Sequence, residues 1–226
     1  MPHTQTQTID WWQWTGEWVE PPNHRRGGES GVQFVRDADG MGYYIKRQRN
    51  FLFKSLRFPF GRPTFLREAR NLKRLNALDV ATPELVHFDM RRAGGAWEAV
   101  LVTRELAGYV SLEQGLNDNR WSVHTRARIY RLLAEHLLRM HRAAFKHGHL
   151  YPKEVFARCD GADAVPQIAL MDLELGRRCV TPTQAANSDL RRLFHGLRKR
   201  GLSEDEVAIF RSVYHAAKLH PQALKL

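Results

Sequence analysis

The chain changes character near its middle, from a half patterned as β-strands and turns to a half patterned as helices. Over residues 32–47, two short alternating runs flank the turn sequence at 37–40, which predicts a β-hairpin. Beyond residue 108, apolar residues recur at the three- and four-residue spacing of buried helices. We therefore expect an α+β chain, with a small antiparallel sheet and one helix first and mostly helices afterwards.

Residue patterns also place the individual elements. We expect strands over 32–35, 43–47, 85–88, 97–103 and 167–171, and helices over 65–75, 111–115 and 125–147 and from near Ser188 and Ser203. Thr64 is in position to cap the first of these helices. His136 and Met140 fall on the apolar face of the long helix and are expected to be core residues rather than ligands.

Length and composition fit one substantial core or two small lobes. The chain has 226 residues, of which 43% are hydrophobic. We place the boundary near 103–108, which gives a Trp-rich leader (1–24), a first lobe (25–105) and a second lobe (106–226).

The N-terminus is polar and lacks the apolar core of a signal peptide, and no apolar run approaches the roughly 18 residues that span a bilayer. Cys159 and Cys179 are the only cysteines and lack the spacing of a zinc site. These features predict a cytoplasmic protein without a disulfide framework or a structural metal.

A basic and aromatic segment occupies residues 47–62, within a chain of net charge +11. Phenyl rings beside Lys and Arg suit a lipid headgroup boundary, and the same residue types stack on single-stranded nucleic acid. A connector whose Phe side chains pack under the next helix is an equally good interpretation. No nucleic-acid module signature accompanies the segment, so nucleic acid is the less favoured partner.

Three charged residues come in an order that suggests a nucleotide-phosphate site. Lys46 ends an apolar strand, Glu68 follows 22 residues later on a helix, and Asp172 ends a later strand. In protein kinases a strand lysine, aimed by a helix glutamate, touches the ATP phosphates, and an aspartate binds Mg²⁺. Each residue alone has a plainer explanation, a solvated strand end or a surface ion pair, so the hypothesis depends on the ordered set.

Glycines precede the Lys46 strand at Gly27, Gly28 and Gly31. Glycine lets backbone amides approach phosphate oxygens, so Gly28 and Gly31 are candidate phosphate-binding residues. No Gly-Lys-Ser/Thr sequence closes a Walker loop, and a plain hairpin turn explains the glycines about as well.

From about Arg25 to Tyr214 the chain resembles the bacterial lipopolysaccharide core kinases, a distant branch of the protein-kinase-like fold, and among them the InaA-type proteins. The residues that carry the resemblance are 44–46, 65–69, 101–106, 111–113, 147–151, 171–173 and 189–190. The resemblance implies a two-lobed fold with a small antiparallel-sheet lobe and a mostly helical lobe. It also implies ATP and Mg²⁺ as cofactors.

The resemblance assigns roles in the first lobe. Lys46 and Glu68 would form the ion pair that orients the phosphates, and backbone groups of Glu105 and Leu106 would meet adenine.

In the second lobe, Asp172 would bind Mg²⁺, and His147 and Asp189 would support the catalytic loop. An alternative places Asp189 in the first turn of its helix, where the helix dipole favours a carboxylate.

One position departs from the family pattern. Where these kinases have an aspartate that accepts the hydroxyl proton, the chain has His149 in the sequence His147-Gly148-His149. A neutral imidazole can accept a proton near pH 7 but lacks the negative charge of a carboxylate. The second metal position falls at Glu154, which could bind Mg²⁺ or be solvated.

Two functions follow. The first is a kinase that transfers the terminal phosphoryl of ATP to a sugar hydroxyl of the lipopolysaccharide core or another anionic glycolipid, in peripheral contact with the inner membrane. The alternative is a non-catalytic pseudokinase that binds nucleotide in a stress or envelope response. An aminoglycoside-type phosphotransferase ranks lower, because acidic residues to hold a cationic drug are sparse.

Overall fold

The computed structural model describes residues 9–25, 27–161 and 164–224, so the polar start over 1–8 lies outside the described residues. The contacts of the chain divide it into two units. One runs up to Ala69 and resumes from Glu84 to Glu105, and the other comprises Arg70–Pro83 and the chain from Leu106 onward. The helix that follows Thr64 therefore begins in the first unit and ends in the second.

Antiparallel strands make up most of the first unit. They are β1 (Glu17–Arg25), β2 (Gly28–Arg36), β3 (Gly42–Arg49), β4 (Leu52–Ser55), β5 (Phe58–Pro63), β6 (Leu85–Ala93) and β7 (Ala96–Arg104). Within the described chain, five of them form one sheet in the order β1-β2-β3-β7-β6, and β4 pairs with β5. Helix α1 (Phe65–Asn76) follows β5. All of strand β1 except Arg25 lies in the stretch predicted as a leader.

The two faces of the sheet have different partners. Side chains alternate along β3, so Ile45 and Lys46 point to opposite faces. The Ile45 face is apolar and is covered by three leader tryptophans, Trp11, Trp12 and Trp14, packed on Val35, Tyr43, Ile45, Val100 and Val102. The tryptophan segment therefore lies on the face away from Lys46.

Helices form most of the second unit. Its elements are β8 (Val110–Ser111), α2 (Leu112–Asn117), α3 (Val123–Arg142), β9 (Phe145–Lys146), β10 (Val155–Arg158), β11 (Gln167–Leu170), β12 (Arg177–Arg178), α4 (Pro182–Arg198) and α5 (Glu204–Ala216). His136 and Met140 of α3 are buried, which confirms their prediction as core residues. Among the residues described, no helix is both long and apolar enough to cross a membrane.

The predicted helix over 125–147 ends early. Helix α3 stops at Arg142, and Ala144 adopts a left-handed conformation with φ +50°. The Ala144 carbonyl accepts a hydrogen bond from the Cys179 N–H at 2.7 Å, and β9 then pairs with β12. Apolar spacing continues past the helix end because Phe145 is also buried, so periodicity alone could not locate the break.

The prediction of a helix start near Ser188 is also wrong. Helix α4 begins at Pro182, and the Thr181 hydroxyl accepts from the Gln184 N–H at 3.1 Å as an N-cap. Threonine followed by proline is a helix start signal, and Thr181-Pro182 marks the true beginning of α4. The start near Ser203 is confirmed, because Ser203 caps α5 in a capping box with Glu206.

Candidate functional site

Lys46 and Glu68 form an ion pair inside the first unit. The Lys46 Nζ atom on β3 lies 2.6 Å from the Glu68 Oε1 atom in the first turn of α1. The glutamate side chain is 5% exposed and the lysine side chain 20% exposed. A carboxylate buried to this degree must be compensated by a cation or by hydrogen-bond donors, so the pair fixes both side chains in place.

Gln48 ties the start of α1 to β3, two residues from Lys46. Its Nε2 group donates to the Thr64 hydroxyl at 3.0 Å, and its Oε1 atom accepts from the Phe65 N–H at 3.2 Å. The prediction that the Thr64 side chain caps α1 is therefore wrong. The Thr64 hydroxyl accepts a hydrogen bond from Gln48, and the Gln48 side chain accepts from the N–H of Phe65, the first residue of the helix. This connection sets which helix residue faces Lys46.

In the second unit, Asp189 holds the loop that contains His147 and Gly148. Asp189 is fully buried in the interior of α4, so the alternative of a first-turn position is wrong. Its Oδ2 atom accepts from the His147 N–H at 2.7 Å, and its Oδ1 atom accepts from the Gly148 N–H at 3.0 Å. Two charge-assisted hydrogen bonds thus fix the backbone just before His149.

The Asp189 carboxylate is part of a buried polar network. The His141 Nε2 atom lies 3.2 Å from Asp189 Oδ2, and His141 Nδ1 lies 2.6 Å from the Tyr214 hydroxyl. Burial raises the pKa of Asp189, but hydrogen bonding and charge from His141 and the hydrogen bond from the Gly148 N–H outweigh burial and hold that pKa below its ordinary value. The role of His141 was not predicted, although this residue lies four positions after Leu137 on the buried face of α3.

His147 is buried and points toward the strand that leads to Asp172. Burial lowers the pKa of His147, so the ring is neutral. Its Nε2 atom lies 2.7 Å from the Met171 carbonyl, and its Nδ1 atom lies 3.4 Å from the His149 backbone nitrogen. These partners assign the proton to Nε2, which donates to Met171 while Nδ1 accepts.

His149, Glu154 and Asp172 come together in the second unit. Their ligand atoms all lie within 4.8 Å of one another. Glu154 immediately precedes β10, and the Met171 N–H donates to the Glu154 carbonyl at 2.9 Å, which continues the pairing of β10 with β11. The strand register therefore places Glu154 beside Asp172. One imidazole and two carboxylates at this spacing can hold a divalent cation.

The turn after Asp172 packs tightly against Asn71 and Gly148. Asp172 has φ +55°, and the Asn71 side chain donates to the carbonyls of Leu173 and Gly176 at 2.8 and 2.9 Å. Gly148 has φ +85°, and a Cβ there would lie 2.6 Å from the Leu175 carbonyl oxygen. Only glycine fits that position, which keeps the loop in contact with the Asp172 turn. The role of Asn71 was not predicted.

The sequence matches the model of the lipopolysaccharide kinase (Kdo/WaaP) family over residues 9–214. The chain belongs to this family. Protein InaA of Escherichia coli (strain K12) is 35% identical over 186 residues, which cover 81% of this chain and 84% of that protein. This membership confirms the resemblance drawn from the sequence.

A solved structure of a protein of similar fold supports the architecture. The structure of WaaP in complex with acyl carrier protein matches with a TM-score of 0.69 at 22% identity, over 91% of this chain and 80% of that chain. The likeness confirms the predicted protein-kinase-like fold for this member of the lipopolysaccharide kinase family.

In this member of the lipopolysaccharide kinase family, backbone groups of the two residues predicted to meet adenine already make hydrogen bonds. The Glu105 N–H donates to the Gly42 carbonyl at 2.8 Å, and the Leu106 carbonyl accepts from the Tyr109 N–H at 3.1 Å. The Glu105 carboxylate pairs with Arg36 at 3.0 Å. The Glu105 N–H is therefore already engaged, and adenine binding by backbone groups of Glu105 and Leu106 stays a prediction.

The glycines before β3 have a packing role. Gly27 turns the chain between β1 and β2 with φ +75°. A Cβ at Gly28 would lie 2.5 Å from the Asn50 backbone, and one at Gly31 would lie 2.7 Å from the Trp18 ring. Close packing in the sheet is therefore sufficient to require glycine at 28 and 31, and phosphate binding by these residues stays a prediction.

Proposed function

We propose that the chain is a phosphotransferase that moves the terminal phosphoryl of ATP to a sugar hydroxyl on the inner core of lipopolysaccharide, at the cytoplasmic face of the inner membrane. The observation that carries the proposal is the buried Lys46–Glu68 ion pair, with Nζ and Oε1 2.6 Å apart. Family membership supports the kinase-like assignment. A lysine anchored by a carboxylate presents a fixed positive charge, which is what triphosphate binding needs.

Different side chains of the protein have separate roles in the proposed reaction. Lys46 binds phosphate oxygens, and Glu68 prevents the lysine side chain from rotating away. Asp189 fixes the His147-Gly148 backbone, so the His149 imidazole is positioned by a rigid loop. Preorganisation of this kind is the main source of rate enhancement in phosphoryl transfer.

The carboxylates of Glu154 and Asp172 fit Mg²⁺, because oxygen ligands are the ones that this cation prefers. Their placement within 4.8 Å of each other allows both to reach one ion. When bound, Mg²⁺ neutralises part of the charge on the ATP phosphates. Lys153 also lies 3.4 Å from Glu154, which limits the net negative charge of the cluster.

In the transfer step, the acceptor hydroxyl oxygen bonds to the terminal phosphorus, and the bond from that phosphorus to the bridging oxygen of ADP breaks. The hydroxyl proton passes to an imidazole nitrogen of His149. Glu154, whose Oε1 atom is 3.9 Å from His149 Nε2, stabilises the imidazolium that forms.

A second candidate function is a nucleotide-binding pseudokinase. The observation that favours it is the position of His149 inside the donor cluster, where its imidazole can serve as a metal ligand. A nitrogen bound to a metal cannot accept the hydroxyl proton. Nucleotide binding through Lys46 is common to both candidates, and turnover separates them.

Transfer is tested with radiolabelled ATP and deacylated inner-core oligosaccharide. If the chain is an enzyme, label enters the oligosaccharide, and His149→Ala lowers the rate by roughly 10²-fold or more, as expected for loss of a general base. His124→Ala on the exposed start of α3 is the matched control and keeps the native rate. ATP binding without label in the oligosaccharide would contradict the kinase and support the pseudokinase.

A further inference from the structure

The basic and aromatic segment forms a hairpin of its own. Strand β4 pairs with β5, and within the part of the chain described neither strand joins the five-stranded sheet. Ser55 pairs with Phe58, and the Phe58 N–H donates to the Ser55 hydroxyl at 3.2 Å. Leu56 and Arg57 therefore form the two-residue tip of the hairpin.

Two large apolar side chains on this hairpin are left in water. Leu56 at the tip is 104% exposed, and Phe60 on β5 is 84% exposed. Leu56 has the highest exposure of any large apolar residue described. Two such side chains on one short hairpin leave apolar area that folding has not buried, which is a feature of docking surfaces.

The charged residues near these two side chains in the sequence are all basic. From residue 40 to residue 67 the chain has seven basic residues and no acidic residue. Lys54 and Arg57, which flank Leu56, are exposed. An apolar tip set among lysine and arginine complements a surface that is negatively charged outside and apolar inside.

Two aromatic rings of the hairpin already pack against neighbouring side chains. Phe53 and Phe58 pack edge to face with ring centroids 6.1 Å apart. Arg62 lies over the Phe58 ring at 5.2 Å, and Arg67 lies over the Phe53 ring at 5.0 Å. Phe60 leaves one ring exposed, but the still more exposed tip residue, Leu56, is aliphatic and cannot stack on a base. The hairpin is therefore better suited to lipid than to single-stranded nucleic acid.

We infer that the β4–β5 hairpin docks the chain on an anionic bilayer. Leu56 and Phe60 enter the boundary between headgroups and acyl chains, and Lys54 and Arg57 contact lipid phosphates. The inference deepens the proposed function, because it names the surface by which the chain reaches a membrane-held acceptor. Docking itself involves neither ATP nor Lys46.

The test is co-sedimentation of the full chain with sucrose-loaded vesicles, without nucleotide. Vesicles of phosphatidylcholine with about one-third phosphatidylglycerol should retain the protein, and pure phosphatidylcholine should retain much less, because the cations require anionic lipid. The double variant Leu56→Ser/Phe60→Ser should weaken the vesicle partition coefficient by about tenfold or more. Lys54→Glu/Arg57→Glu should weaken it comparably.

The matched control is Val123→Ser/Val180→Ser, which removes two exposed apolar side chains of the second unit, 69% and 89% exposed, and should bind vesicles as the native chain does. All variants change exposed positions, so we expect their melting temperatures to equal that of the native chain. Measuring these temperatures verifies that each variant is folded. Equal vesicle binding by native chain and hairpin variant would overturn the inference, as would no vesicle binding, or binding of single-stranded oligothymidine instead of vesicles. Because no nucleotide is added, failure here is distinct from failure of the kinase proposal.

Discussion

Buried polar side chains define the candidate site at the scale of single residues. Glu68 has Lys46 as its partner, and Asp189 accepts from two backbone N–H groups and lies beside His141. Each of these groups would be strongly destabilising if unpaired. Their compensation gives each side chain one fixed position, as the proposed roles in phosphate binding and loop support require.

His136 gives a pH dependence to folding stability. Burial lowers its pKa to about 4, with a further contribution from Arg139, and its Nδ1 atom accepts from the Ala81 N–H at 3.1 Å. The unfolded chain takes up this proton near pH 6.5, whereas the folded chain does not until about pH 4. The unfolded state binds more protons in that window, so stability falls as pH falls from about 6.5 to about 4.

We expect His136→Gln to reduce this loss, because glutamine can accept the same hydrogen bond without titrating. The fall in unfolding free energy between pH 7 and pH 4.5 should shrink by on the order of 2 kcal/mol, measured by urea denaturation at each pH. His124→Gln, on the exposed start of α3, should leave the fall unchanged. An unaltered pH profile for His136→Gln would refute this account of the histidine.

At the scale of elements, connections between strands and helices place the functional side chains. The β10–β11 pairing brings Glu154 beside Asp172, and Gln48 connects β3 to the start of α1. On the other face of β3, the Arg47 guanidinium donates to the carbonyls of Trp11 and Trp14, which holds the tryptophan segment on the sheet. Strand β3 therefore positions Lys46 on one face and is supported on the other.

The Gln48 connection predicts a defect in nucleotide binding from a residue that the reaction does not use. Gln48→Ala removes the partners of the Thr64 hydroxyl and the Phe65 N–H, and burying them unpaired costs about 1–3 kcal/mol of unfolding free energy. Because the start of α1 loses its connection to β3, Glu68 is held less well and the Kd for Mg-ATP should rise. Calorimetric titration measures the Kd, and urea denaturation measures the stability.

Gln13→Ala, in the exposed leader, is the matched control and should change neither quantity. If Gln48→Ala lowered stability but bound Mg-ATP as the native chain does, Gln48 would be a structural residue without influence on the Lys46–Glu68 pair.

At the scale of the whole molecule, the sequence predicted the fold class and the ion-paired residues. Alternation marked β3 and apolar spacing marked α1, so the approach of Lys46 to Glu68 followed from local patterns together with the resemblance. The polar start signal at Thr181-Pro182 lay in a stretch without apolar periodicity and was missed. The Gln48 connection and the Asn71 contacts join residues 16 to 105 positions apart, and sequence spacing contains no information about such pairs.

Nucleotide binding is tested most directly by a thermal-shift titration with Mg-ATP. If Lys46 holds a nucleotide, Mg-ATP at one hundred times its Kd stabilises the chain by about 2.7 kcal/mol, which raises the Tm by several degrees. Lys46→Ala should abolish the shift, whereas Lys73→Ala, an exposed lysine of α1, should retain it. No shift in the native chain, or an undiminished shift in Lys46→Ala, would contradict the claim that the ion-paired lysine holds a nucleotide.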